Sequence, residues 1–225
     1  VNILSICSGA GLLDRPFLDR GAIITNGCEI DPDQRHLYRL FIGQQEPLEC
    51  DLVDLVAGVR SGKHPSTWQG IIGGPPCQSS SRTRAMRRPK FANLSLLVRE
   101  LVEIIEPDWF LFENVAPIDL PGSRSIRLDA MHFAKPHQSR PRWFTFSANL
   151  QAPEPIYHGT IDELMAYPAV AAKLYGPKRG AILQGYPRFA ELSAPCAVLQ
   201  KGLANGVPRC LGEAWAAKVF ERARL

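Results

Sequence analysis

The sequence predicts an α/β fold, an open and mostly parallel sheet flanked by helices, and three observations predict it. Short apolar runs alternate with segments whose apolar residues recur at helical spacing. The first run passes through the small-residue turn Ser8-Gly9-Ala10-Gly11 into an amphipathic segment over residues 12–20, the strand–turn–helix unit that opens a nucleotide-binding, Rossmann-like fold. The apolar pair Ile71-Ile72 is stopped abruptly by Gly73-Gly74-Pro75-Pro76, which puts Cys77 on a stiff turn at the carboxyl end of a buried strand. Open α/β sheets bind ligands at that edge, where loops rather than packed side chains line the crevice. A cysteine at such a position is either a small buried hydrophobe or a reactive thiol, and the polar residues 78–81 after it favour the thiol.

With 225 residues the chain can bury one good core and has room for no more than a small appendage. Hydrophobic residues at 45% and charged residues at 21% are ordinary for a globular protein. No apolar run approaches the ~20 residues of a membrane span, and residues 1–20 lack a signal-peptide pattern, so the expectation is a cytoplasmic protein without membrane contact. Cys7, Cys28, Cys50, Cys77, Cys196 and Cys210 form no Cys-x-x-Cys pair and have no histidine at zinc spacing, so neither a structural metal nor a disulfide framework is expected. A net charge of +4 fits a polyanionic partner only through its distribution.

Along the chain, residues 1–7 read as the first strand and 22–28 as the second, ending in Glu29 about twenty residues after the glycines. A carboxylate there accepts from both ribose hydroxyls in dinucleotide folds; the alternative is an acidic helix cap before Asp31-Pro32. Glu49-Cys50-Asp51-Leu52 closes a third short segment, where Asp51 can accept from an adenine amino group. After Cys77 comes a basic loop with Arg82, Arg84, Arg87, Arg88 and Lys90 and no apolar period. Such a run is either a solvated surface loop or a phosphate clamp, each neutralised phosphate steepening the log–log salt dependence by ~0.9.

Leu94, Leu97, Val98, Leu101, Val102 and Ile105 share one helical face, which predicts a helix over 94–105 closed by Pro107. A buried strand over 109–112 then delivers Glu113-Asn114-Val115 to the same edge as Cys77; partial desolvation would raise the Glu113 pKa and make it a candidate acid. Residues 116–125 are rich in proline and glycine, and a strand is expected over 127–135, another over 143–147. Between them, Gln138-Ser139-Arg140-Pro141-Arg142 sets two arginines on one face of an extended segment, to serve a site together or to form a basic strand edge. Pro153 and Pro155 mark a linker, 161–174 is expected to form one short helix, and 211–222 a C-terminal one.

Gly73-Gly74-Pro75-Pro76-Cys77-Gln78 resembles the nucleophile motif of the DNA cytosine-5 methyltransferases, and the family's other motifs follow its linear order from Ser8 to Pro208. The resemblance implies the S-adenosylmethionine-dependent version of the fold, with Ser8, Gly9, Ala10 and Gly11 on the methionine part, Glu29 on the ribose and Asp51 on the adenine. It extends the cofactor set to Cys7, Ile30, Leu52, Pro76, Leu94, Asn205 and Val207. It makes Cys77 the nucleophile that adds to cytosine C6, Glu113 the glutamate that grips the ring nitrogen, and Arg140 and Arg142 part of the same catalytic group. DNA is the implied partner, touched by Gln78, Ser81, Arg82, Arg84, Arg87, Arg88, Lys90 and Gln138, with no metal expected and the protein either monomeric or joined by a partner protein.

Ile182-Leu183-Gln184-Gly185-Tyr186-Pro187 and Asn205-Gly206-Val207-Pro208 resemble the family's two closing motifs. Departures are also visible. Cys7 stands where the family usually has phenylalanine, Leu12 and Ala204 where it usually has glycine, and residues 116–125 are too short for its crossover helix. The expected division is a catalytic and cofactor-binding part at 1–149, a reduced target-recognition insert at 150–178 and a returning C-terminal segment at 179–225. Two other readings compete: a relative that binds DNA or a partner without catalysis, and one that methylates RNA. A nicotinamide-dependent oxidoreductase would share the first turn and Glu29 but leaves Cys77, Glu113 and the paired arginines unexplained.

Overall fold

A computed structural model of the chain describes residues 1–43, 49–65, 67–76, 94–164, 167 and 171–223, with the side chains of Asn26 and of residues 171–174 left aside. Among these residues six strands form one sheet: β1 (Asn2–Ile6), β2 (Ile23–Cys28), β3 (Gly70–Gly73), β4 (Trp109–Asn114), β5 (Ser123–Asp129) and β6 (Pro141–Ser147), in the order β2-β1-β3-β4-β6-β5. Strands β1 to β4 pair in parallel, and β6 runs antiparallel to both of its neighbours, β4 and β5. The helices are α1 (Asp14–Leu18), α2 (Pro32–Ile42), α3 (Leu52–Arg60), α4 (Leu94–Ile105), α5 (Ala171–Leu183), α6 (Cys196–Asn205) and α7 (Arg209–Arg222).

One apolar layer joins β1, β3, β4 and β6 to α7, where Trp215 packs on Phe144 and Phe146; a second joins the other faces of β1, β3 and β4 to α3 and α4. Burial on both faces is why the central strands read as continuous apolar runs. A third cluster, Leu37, Tyr186, Phe189, Leu199 and Leu203 among its members, packs the C-terminal helices on α2 beyond the sheet.

Local sequence explains the helix starts. Asp31 caps α2, accepting from the amides of Asp33 and Gln34, with Pro32 in the first turn; Asp51 caps α3, accepting from the amide of Asp54.

Three expectations are corrected. The strand expected over 127–135 lies at Ser123–Asp129, in register with β6 from Ser123↔Ser147 to Asp129↔Pro141, and Asp129 then caps the short 3-10 turn Ala130–His132. Residues 161–164 form a turn rather than the start of a helix; α5 begins at Ala171 and is interrupted at Gly176, whose φ of +80° is followed by Pro177. Gly73 belongs to β3 as its last residue instead of ending it from outside.

Among the described residues no helix is long and apolar enough to cross a membrane, and no three His, Cys, Asp or Glu side chains gather as a metal site.

Candidate active site

At the carboxyl end of β1 the chain turns sharply, with Cys7 at φ +48° and Gly9 at +55°. The left-handed conformation is costly for cysteine and free for glycine. Bonds from Ser8 N to the Cys28 carbonyl (3.1 Å) and from Gly11 N to the Ser8 carbonyl (3.0 Å) hold the turn against the end of β2. Glu29 follows β2 directly. Its carboxylate accepts from Gly9 N at 2.8 Å and from Asp31 N at 2.9 Å. Burial raises its pKa against these amide bonds. So Glu29 faces the glycine turn, and Asp31 does the helix capping.

The Ile30 side chain beside it is 51% exposed, and a Cβ built on Gly9 meets nothing within 4 Å. Open space above a glycine turn, an acceptor at its side and an exposed apolar side chain suit a nucleoside-bearing cofactor. Asp51 and the buried Leu52 begin α3 close by. Arg35 ties this region together: its guanidinium donates to the carbonyls of Glu29 (3.1 Å) and Ile30 (3.0 Å) and pairs with Glu49 at 3.0 Å.

The second half of the site lies where β3 and β4 end. Asn114 donates from Nδ2 to the buried Pro75 carbonyl at 2.9 Å, and a Cβ on Gly74 would stand 3.4 Å from Glu113 Oε2. The strand end that leads to Cys77 is therefore held beside the Glu113 carboxyl. Glu113 is 7% exposed and pairs with Arg142, Nε to Oε1, at 2.6 Å. Desolvation raises its pKa, opposed by the charges of Arg142 and Arg140.

Arg140, 4% exposed, directs Nη2 to the carbonyls of Ala204 (2.5 Å), Gly206 (2.8 Å) and Leu203 (3.3 Å). Burial and the neighbouring Arg142 bring its pKa down to about 9, which leaves it a cation at neutral pH. Thus both arginines approach Glu113, but one pairs with it while the other bolts the C-terminal segment to the site. Gln138, just before them, is buried with neither end of its amide hydrogen-bonded among the described residues.

The C-terminal segment returns to the glycine turn. Tyr186 donates its hydroxyl to the Leu12 carbonyl, Lys201 pairs with Asp31, and a Cβ on Gly206 would overlap Leu12 Cδ1 at 2.0 Å. Val207 is buried there and Asn205 is exposed. Pro76 is exposed at the end of the described β3 turn, and Leu94 is half-buried at the start of α4. Cys77, Gln78, Ser81, Arg82, Arg84, Arg87, Arg88 and Lys90 lie outside the described residues.

Arg35 holds the site although no local signal in the sequence points to it. Asn114, Gln184 and Tyr186 stand inside the motifs quoted above but were not named there as site residues.

Comparison with known proteins gives the family and the fold. The profile of the C-5 cytosine-specific DNA methylases matches residues 1–125. Type II methyltransferase M.NgoPII of Neisseria gonorrhoeae is 31% identical over 119 residues, 52% of this chain and 33% of that protein. Type II methyltransferase M.AquIA of Picosynechococcus is 30% identical over 122 residues, 50% of this chain and 48% of its own length. The chain thus matches a third to a half of these relatives. An E. coli prophage protein assigned as a DNA modification methyltransferase superposes over all of both chains with a TM-score of 0.70 at 14% identity, a likeness of fold.

Proposed function

This chain belongs to the C-5 cytosine-specific DNA methylases, and from that premise we propose that it transfers a methyl group from S-adenosylmethionine to C5 of cytosine in DNA, with Cys77 adding to C6 of a flipped-out base. The observation that carries the proposal is the Glu113–Arg142 pair set against Gly74, three residues before Cys77.

Cytosine C5 is a poor nucleophile until electron density is pushed into the ring, and a thiolate adding at C6 does so. Free cysteine, with pKa ~8.5, is only a few per cent thiolate at neutral pH, and a guanidinium within reach of the sulfur, from Arg140 or Arg142, would favour the anion. Glu113, its pKa raised by burial, supplies or shares a proton at the ring nitrogen as charge develops, a role typically worth ~10²–10⁴ in rate. Arg142 keeps that carboxyl in place and can neutralise charge at the base carbonyl. The cofactor supplies an electrophilic methyl group for the activated carbon. Ser8 to Gly11, Glu29, Ile30 and Asp51 would hold it, while the segment around Asn205 and Val207 closes over it. Loss of the C5 proton then expels Cys77.

The target base must leave the stack, at a cost of a few kcal/mol that phosphate contacts offset, and the basic residues 82–90 suit that role. A recognition insert as short as 150–178 fits a short or relaxed target, or single-stranded or partner-delivered DNA. The test is trapping on duplex DNA carrying 5-fluorocytosine with S-adenosylmethionine. A covalent complex stable to denaturation is expected, absent in Cys77→Ala. If the unmodified protein leaves all of the DNA free, catalysis through Cys77 is wrong; methyl transfer to tRNA but not DNA would move the substrate class to RNA.

A further inference from the structure

Cys28 ends β2 one residue before Glu29, and Cys50 stands one residue before Asp51. Their sulfurs meet: Cys50 Sγ lies 3.1 Å from Cys28 Sγ, and the Cys28 thiol donates to the Cys50 carbonyl at 3.0 Å. Cys28 is 1% exposed, whereas Cys50 is half-buried with a face to solvent. A disulfide needs ~2.05 Å between sulfurs, so closure requires a movement of about 1 Å.

The two thiols are also unequal. The thiol–thiol contact with Cys50, and then burial, hold the Cys28 thiol protonated, while the same sulfur–sulfur contact lowers the pKa of Cys50, which makes Cys50 the first sulfur to ionise. Nothing in the methyl-transfer chemistry uses either of them.

We infer that Cys28 and Cys50 form a modification site, a dithiol that small-molecule disulfides oxidise to a Cys28–Cys50 bond, and that this bond weakens the adjoining cofactor pocket. The second half rests on the cofactor reading above. In the first step the Cys50 thiolate attacks one sulfur of a small disulfide, forming a mixed disulfide and releasing one small thiol. In the second, Cys28 attacks Cys50 Sγ as its proton leaves, and the second small thiol departs. Two protein thiols are oxidised and one disulfide is reduced.

The new bond draws together the two segments that carry Glu29 and Asp51. It also removes the Cys28 donor from the Cys50 carbonyl. A displacement of ~1 Å in a positioned site can cost on the order of 10²-fold, so a loss of cofactor-product affinity of about tenfold or more is expected.

The experiment treats reduced protein, in a Cys77→Ala background, with oxidised glutathione. Alkylation and tryptic mass spectrometry then look for a link between the peptide of residues 21–35 and that of residues 40–60, and calorimetry measures S-adenosylhomocysteine binding. The expected results are a linked peptide, weaker binding that dithiothreitol restores, and neither change in Cys50→Ala or Cys28→Ala. Absence of the linked peptide, or a link with unchanged affinity, overturns the inference. If the reduced protein itself fails to bind S-adenosylhomocysteine, the cofactor reading and the affinity claim fall together, and the peptide result still judges the dithiol.

Discussion

Asp14, 1% exposed at the start of α1, accepts from the hydroxyls of Ser5 and Tyr38, each at 2.9 Å, and so joins the first strand, the first helix and α2. Burial pushes its carboxyl from 3.8 up to about 7 despite those bonds. The folded state therefore binds the proton more tightly than the unfolded chain does. The stabilisation is fully present below pH 3.8 and is lost as pH rises to about 7, a change of roughly 4–5 kcal/mol at ~1.4 kcal/mol per unit. Urea midpoints measured across that window should show this decline, and Asp14→Asn should flatten it. An unchanged slope in the variant would assign the pH dependence elsewhere. Glu113 could be picked out from sequence because a carboxyl ending an aromatic strand stands out locally. The use of Arg140 could not, because its carbonyl partners lie 63 to 66 residues away.

Among the elements, β3 is the most constrained by its neighbour. Gly73 pairs with Ile6 of β1, and a Cβ there would stand 2.3 Å from the Ile6 carbonyl oxygen, a backbone atom that cannot step aside. Gly73→Ala should lower stability by roughly 1–3 kcal/mol, seen as a lower melting temperature, with trapping of 5-fluorocytosine DNA reduced as the following turn shifts. Melting at the original temperature would show that the strand relaxes around the methyl group. Helix α4 was legible because its apolar residues repeat at helical spacing over three turns. Strand β5 lies at the sheet edge with only Leu128 fully buried, and Ile126 and Leu128 are its only apolar residues, too short an alternation to mark a strand. Helix α2 is read in the sequence only as an alternative, through a cap before Asp31-Pro32, and α3 is not read at all, although both begin at an aspartate cap.

At the scale of the whole molecule, the C-terminal helices close a ring. Tyr186 bonds Leu12, Gly206 packs on Leu12, and Arg140 grips the carbonyls of Leu203, Ala204 and Gly206 beside Glu113, so the glycine turn and the Glu113 end of the sheet share one wall. Ligand binding should then stabilise the entire fold. S-adenosylhomocysteine at 100 times its Kd should add about 2.7 kcal/mol and raise the melting temperature by roughly 5–11 °C, with most of the shift lost in Glu29→Ala. A shift of the same size in that variant would remove Glu29 from the cofactor site.

The period of the apolar residues and the linear order of the motifs were enough for the α/β class, the parallel core strands and the residues proposed for the chemistry. These are properties of short stretches, each readable without its neighbours in space. Only the tertiary structure decided that Glu29 turns toward Gly9, that Arg142 rather than Arg140 pairs with Glu113, and that the Cys28 and Cys50 sulfurs meet. Those outcomes depend on side chains brought together by folding from positions 20 to 29 residues apart in sequence, a separation over which no helical or strand period carries information.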